Sequence, residues 1–84
     1  MYDLVFDDKV IDFMNKLPKS IKSRIFTKLL LSKENPYRFF EKLSSKGYYK
    51  LRIGNYRAIA DIDSRNRKIQ VTLVGHRRNV YKRD

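Results

Sequence analysis

Beyond its first six residues the hydrophobic period of this chain changes once, at Gly47, and that change limits the folds open to it. Before it, apolar residues recur at helical spacing: Val10, Phe13, Met14 and Leu17, then Ile21, Ile25, Phe26, Leu29 and Leu30. After it they alternate: Tyr49, Leu51 and Ile53, then Tyr56, Ala58, Ala60 and Ile62, then Ile69, Val71 and Leu73. Period 3.6 followed by period 2 means helices first and strands second. A half-apolar sheet must bury one face, and the helices are the elements available to cover it. An α+β fold follows.

Local signals set the boundaries. Tyr2, Leu4 and Phe6 alternate, which predicts a short first strand. Asp7 or Asp8 suits a helix N-cap, where a carboxylate accepts from free N–H groups. Pro18 ends the first helix and fits the first turn of the next, so the two form a helical hairpin joined through residues 17–19. Asn35-Pro36 marks a turn. Residues 37–46 have no clear period, and Phe39, Phe40 and Leu43 are expected to anchor them. Gly54-Asn55 is a two-residue hairpin turn in which both residues tolerate positive φ. Residues 63–66 form the next turn. The expected order is β-α-α-β-β-β: an antiparallel sheet with a helical hairpin on one face, in a single domain spanning 1–84.

The alternation also assigns faces. Leu51, Ile53, Ala58, Ile62, Val71 and Leu73 are expected under the helices. Lys50, Arg52, Arg57 and Thr72 then share the open face, and the last strand carries His76, Arg77 and Tyr81 to its edge. The charge balance is lopsided in the same direction. Twenty Lys and Arg against nine Asp and Glu give +11. Residues 1–46 hold ten bases and six acids, whereas residues 47–84 hold ten bases and three acids. A field of this sign attracts nucleic acid, an anionic membrane or an acidic protein.

Composition excludes several classes. There is no cysteine, so no disulfide or thiolate site supports the fold, and one histidine cannot build a metal site alone. No metal or other cofactor is expected. Asp3, Asp7 and Asp8 interrupt any secretory signal, and Leu29-Leu30-Leu31 is far short of a membrane span. A soluble cytoplasmic protein without a membrane partner is the expectation.

The blocks YYKLRIGNYRAIADID and KIQVTLVGHRRNVYKR, in that order after a helical hairpin, resemble the RelE/ParE toxin superfamily, and its RelE branch in particular. The likeness covers essentially the whole chain. It implies a toxin of a toxin–antitoxin system, an endoribonuclease that cleaves mRNA on the ribosome and so inhibits translation. It also implies an acidic antitoxin bound in a hetero-oligomer. The site residues it carries over are Arg57, Arg77, Tyr81 and Lys50. The chain departs from the pattern where a lysine often precedes Lys50 by two: Tyr48 stands there. With three residues after Tyr81, any C-terminal helix is expected to be a single turn.

The residue types fit that chemistry on their own. Attack by the RNA 2′-hydroxyl needs a base, a stabiliser for an anionic phosphorane and a proton for the leaving oxygen. Arg57 and Arg77 suit the second role, since guanidinium pairs with phosphate oxygens and stays charged. For the base, Lys50, Tyr81 and His76 are the candidates, since clustered cations favour loss of a proton from an amine or a phenol and an imidazole loses one near neutral pH unaided. No step requires a metal. Arg52, Arg78, Lys82, Arg83 and Tyr48 are candidate RNA contacts, Tyr48 by stacking. Two other functions fit the same outline: a ParE-type protein that poisons DNA gyrase, and a non-enzymatic RNA-binding module.

Overall fold

A proline divides the helical half. Pro18, with φ −54° and ψ 145°, caps α2 (Lys19–Leu31), and α1 (Asp8–Asn15) ends just before it. Lys22 Nζ donates to Asn15 Oδ1 at 2.7 Å across the junction. The computed structural model describes residues 1–43 and 47–76. Val10 and Met14 of α1 and Ile25 and Leu29 of α2 are buried together. The buried stripe of α2 is narrower than its sequence suggests, because Phe26 and Leu30 remain 43% and 44% exposed. Asp7 occupies the N-cap of α1, yet its carboxylate does not bond the helix. Its Oδ1 instead accepts from Gln70 Nε2 at 2.7 Å, tying the helix entry to the last strand.

The ambiguous stretch after Asn35-Pro36 resolves into two short elements. A single helical turn, α3 (Pro36–Phe39), starts on the proline, and β2 (Glu41–Leu43) follows. Phe40 between them is buried, and Phe39 packs against the core. The sheet adds β1 (Asp3–Phe6), β3 (Tyr48–Ile53), β4 (Tyr56–Asp63) and β5 (Lys68–His76), in the order β1-β5-β4-β3-β2. From β2 through β5 every pairing is antiparallel. β1 joins β5 in parallel, so the sheet is mixed. A parallel neighbour needs a crossover, which the helical hairpin begins.

The β4–β5 ladder changes register once. Ile59 lies opposite Leu73, but Ala60 lies opposite Val71, so Thr72 is an extra residue in β5. Its hydroxyl donates to the Ile59 carbonyl at 3.4 Å. One inserted residue exchanges the two faces of everything beyond it. Ile69 and Val71 therefore point into the core as expected, whereas Leu73 does not. Val74 takes that place and is buried, while Leu73 is half-buried on the other face beside Ile59.

Both turns form where expected. At 54–55 only Gly54 adopts positive φ (60°), the arrangement of a turn with glycine at its first central position. At 63–66, Asp63 Oδ1 accepts from the N–H groups of Arg65 and Asn66, both at 3.1 Å, and Oδ2 accepts from Asn66 Nδ2 at 2.8 Å. Arg67 then takes φ 52° to close the turn. The Asn66 side-chain bond, then the backbone bonds of Asn66 and Arg65, hold the Asp63 carboxyl below its ordinary range. A lowered folded-state pKa means the stabilisation is present above the unfolded value of about 3.9 and is lost as pH falls through the folded one. Asp63→Ala should therefore melt below the parent at pH 6. The gap should close on acidification below about pH 4, as read by thermal melts across a pH series.

Candidate nucleic-acid interface

Residues directly opposite each other in an antiparallel ladder share a face, so the registers define a surface. Arg52 of β3 lies opposite Arg57 of β4, which lies opposite Gly75 of β5. One step along, Lys50 lies opposite Ile59 and Ile59 opposite Leu73. These residues share the face away from the helices, joined by exposed Tyr48 and Asp61. Like charges directly opposite in a sheet are destabilising. Arg52 and Arg57 are such a pair, and Arg57 has contacts of its own that offset the repulsion.

The three cations differ in setting. Arg52 is exposed. Lys50 keeps 23% of its side-chain surface exposed, and its Nζ lies 4.0 Å from Glu41 Oε2, whose side chain is 78% exposed. Arg57 is 1% exposed, where the alternation alone suggested an open side chain outside the core. Its Nη1 donates to the Tyr56 carbonyl at 3.4 Å, and that is not its whole set of interactions. No buried side-chain nitrogen or oxygen among the described residues lacks a hydrogen-bond partner. A guanidinium so enclosed is held in few conformations, unlike a solvated one.

His76 is not brought to this surface. It pairs with Tyr56, and their rings meet edge to face at 5.4 Å. Tyr56 packs against the core, so His76 belongs to the helix side of the sheet. The cause is the extra residue Thr72: without it His76 would share Arg57's face, and with it Gly75 does. Arg77, Arg78, Tyr81, Lys82 and Arg83 lie outside the described residues. Tyr48 is 45% exposed. Among the described residues no three His, Cys, Asp or Glu gather as a metal site. No helix among them is long and apolar enough to cross a membrane.

A cavity of about 380 Å³ opens at the edge of this surface. β2 pairs with β3 only from Tyr48 to Lys50, and the chain before Glu41 turns away into α3. Leu51 and Arg52 are thus left facing a gap between β3, α3 and α2. Lys28 and Arg38 line it together with Lys50 and Arg52, above Phe39 and Leu51, with Glu41 at the side. Sequence reasoning did not select Lys28 or Arg38. Lys28 reads as one of many solvated helix cations, and Arg38 falls in the stretch without a period.

The family model of the ParE toxin of type II toxin–antitoxin systems (parDE) matches residues 4–81. No curated protein matches the chain in sequence. Several solved structures share its fold. The RelBE2 toxin–antitoxin complex of Mycobacterium tuberculosis aligns with a TM-score of 0.82 at 24% identity, over 90% of this chain and 98% of that one. The archaeal RelE–RelB complex of Pyrococcus horikoshii aligns with a TM-score of 0.79 at 23% identity, over 90% and 94%. The isolated RelE toxin of E. coli aligns with a TM-score of 0.79 at 23% identity, over 99% and 94%. The family match spans nearly the whole chain and agrees with the mixed sheet and helical hairpin, so this protein belongs to the ParE toxin family of type II toxin–antitoxin systems, within the RelE/ParE superfamily.

Proposed function

We propose that the chain is the toxin of a toxin–antitoxin pair and acts as a metal-independent endoribonuclease on ribosome-bound mRNA. The observation that carries this reading is Arg57, a guanidinium enclosed on the basic face directly opposite Arg52. A donor fixed before the reaction stabilises developing charge without reorganising, which is where most electrostatic catalysis comes from. In the reaction the 2′-oxygen gives up its proton, bonds to the adjacent phosphorus and forms a phosphorane. The 5′-oxygen then leaves with a proton, and a 2′,3′-cyclic phosphate remains. Arg57 and Arg77 serve the phosphorane, while Lys50 and Arg52 hold the flanking phosphates. His76 lies across the sheet, so the proton acceptor is Lys50 or Tyr81. At 1% exposure Arg57 meets phosphate only after its neighbours give way. A substrate presented in a fixed geometry, such as mRNA on a ribosome, can meet that cost.

The ParE description of the family model favours a second reading, in which the same fold poisons DNA gyrase by binding. The two separate in vivo. On induction without a partner, pulse incorporation of amino acids should fall before that of thymidine. The reverse order would select the gyrase reading.

Variants of the basic face should divide into two kinds. Arg57→Ala removes a buried, hydrogen-bonded side chain and should cost about 2–4 kcal/mol of stability, seen as a lower Tm. Arg57→Lys keeps a charge and most of the stem but loses the fork. It should retain the fold better while single-turnover cleavage on programmed ribosomes drops roughly 10²–10³-fold. Arg77→Ala should lose a similar factor. Tyr81→Phe keeps the ring and removes only the hydroxyl, so full activity would assign the proton to Lys50. Cleavage at the parental rate by both Arg57→Lys and Arg77→Ala would remove these arginines from the site.

An acidic antitoxin is the proposed restraint. A surface of like charges binds a complementary chain that also blocks substrate, and such a segment folds as it docks. Purification from the native operon should yield the toxin with an acidic protein in a hetero-oligomer. A harmless toxin that purifies alone would contradict this.

A further inference from the structure

The edge cavity holds more than the proposed chemistry uses. Four cations converge on it from three elements: Lys28 from α2, Arg38 from α3, and Lys50 and Arg52 from β3. Lys28 and Arg38 each sit in the last turn of their helix, where a cation complements the helix dipole. That explains each residue alone and not their meeting at one gap. Lys50 and Arg52 belong to the basic face as well, so the cavity continues that face around the sheet edge.

The remaining walls indicate the ligand. Half-buried Phe39 supplies an apolar floor, and Glu41 supplies an acceptor. Phosphate needs cations, a base needs an apolar or aromatic surface, and its amino edge needs an acceptor. The three requirements are met by one nucleotide. An acidic peptide would use the cations, but its carboxylates would face Glu41 and leave the floor empty. The volume lies in the range of roughly 300–1,000 Å³ over which compact ligands are held.

We propose that this cavity is a nucleotide subsite for single-stranded RNA, with Lys28 and Arg38 holding a phosphate beyond the one that Arg57 serves. The proposal rests on the reading of RNA as substrate. Arg52 is the link, since it lines the cavity and stands opposite Arg57. An RNA strand leaving the scissile phosphate would pass Arg52 and enter the gap, which extends recognition to a neighbouring nucleotide.

The test uses the full chain and a hexanucleotide RNA with 2′-O-methyl riboses, which its own hydroxyls cannot cleave. Affinity is measured by fluorescence anisotropy over a salt series for the parent, for K28Q/R38Q, and for K9Q/K16Q, an equal charge loss on and just after α1. Polyglutamate serves as an acidic-protein probe, and thermal melts verify the folds. K28Q/R38Q should bind the RNA about ten-fold more weakly, and its log–log salt slope should fall by about 0.7, one single-strand phosphate contact. K9Q/K16Q should keep the parental slope. Equal losses in both variants would reduce the effect to bulk charge and overturn the proposal. Loss of polyglutamate binding with RNA binding retained would also overturn it and make the cavity a protein site. Cleavage by the parent on programmed ribosomes is scored separately. Its absence would defeat the nuclease reading, while the uncleavable RNA would still judge the cavity.

Discussion

The arrangement of the sheet around Arg57 depends on Thr72, the extra residue in β5. Between Ile69 and Val71 the strand obeys simple alternation, and beyond Thr72 it obeys the opposite phase. Three consequences follow from that inversion. Val74 enters the core in place of Leu73, which sustains burial at the strand end. Gly75 comes to lie opposite Arg57, so no side chain crowds it from that strand. His76 turns to Tyr56 on the helix side and leaves the cationic face. The bulge thus sorts basic from aromatic residues at the end of the sheet where Arg57 lies. It is held in part by the Thr72 hydroxyl on the Ile59 carbonyl.

This also explains which parts of the fold were legible. The helical hairpin and the β3–β4–β5 meander announce themselves through long, regular periods, and Pro18 and Gly54 mark their joints. The bulge is invisible because Leu73 and Val74 are adjacent and both apolar, so either phase satisfies the hydrophobic pattern. α3 and β2 are four and three residues long, too short to show a period. Phe26 and Leu30 fit a helical stripe, but the stripe is wider than the sheet that covers it. The cationic face was legible from Lys50, Arg52 and Arg57 alternating with apolar neighbours. The burial of Arg57 was not, since a charged residue on an alternating strand reads as solvated. Convergence of Lys28 and Arg38 depends on tertiary geometry that no local pattern encodes.

The cost of the surface is carried by a small domain. Eighty-four residues bury only a modest fraction of their chain, so stability margins are thin. Against that, Arg52 and Arg57 stand directly opposite each other, and Arg57 is taken almost wholly out of water. Like charges opposed in a ladder and a charge taken out of water each need compensating contacts, and Arg57 has them.

Strand β3 connects the Arg52–Arg57 pair to the cavity. Its odd-numbered residues Leu51 and Ile53 are fixed in the core, which orients Lys50 and Arg52 the other way. Rigid burial on one side of a strand therefore preorganises the cations on the other, at a neighbouring-strand spacing of about 4.8 Å from β4. Because β2 stops at Lys50 in the register, the same two cations also face the gap made by α2 and α3. A single strand thus presents charge to two places at once, the face around Arg57 and the cavity at its edge. A polyanion that spans both gains from each contact without a second loss of rigid-body freedom. A lone phosphate does not, so the proposed RNA strand would gain from this geometry what a single phosphate would not.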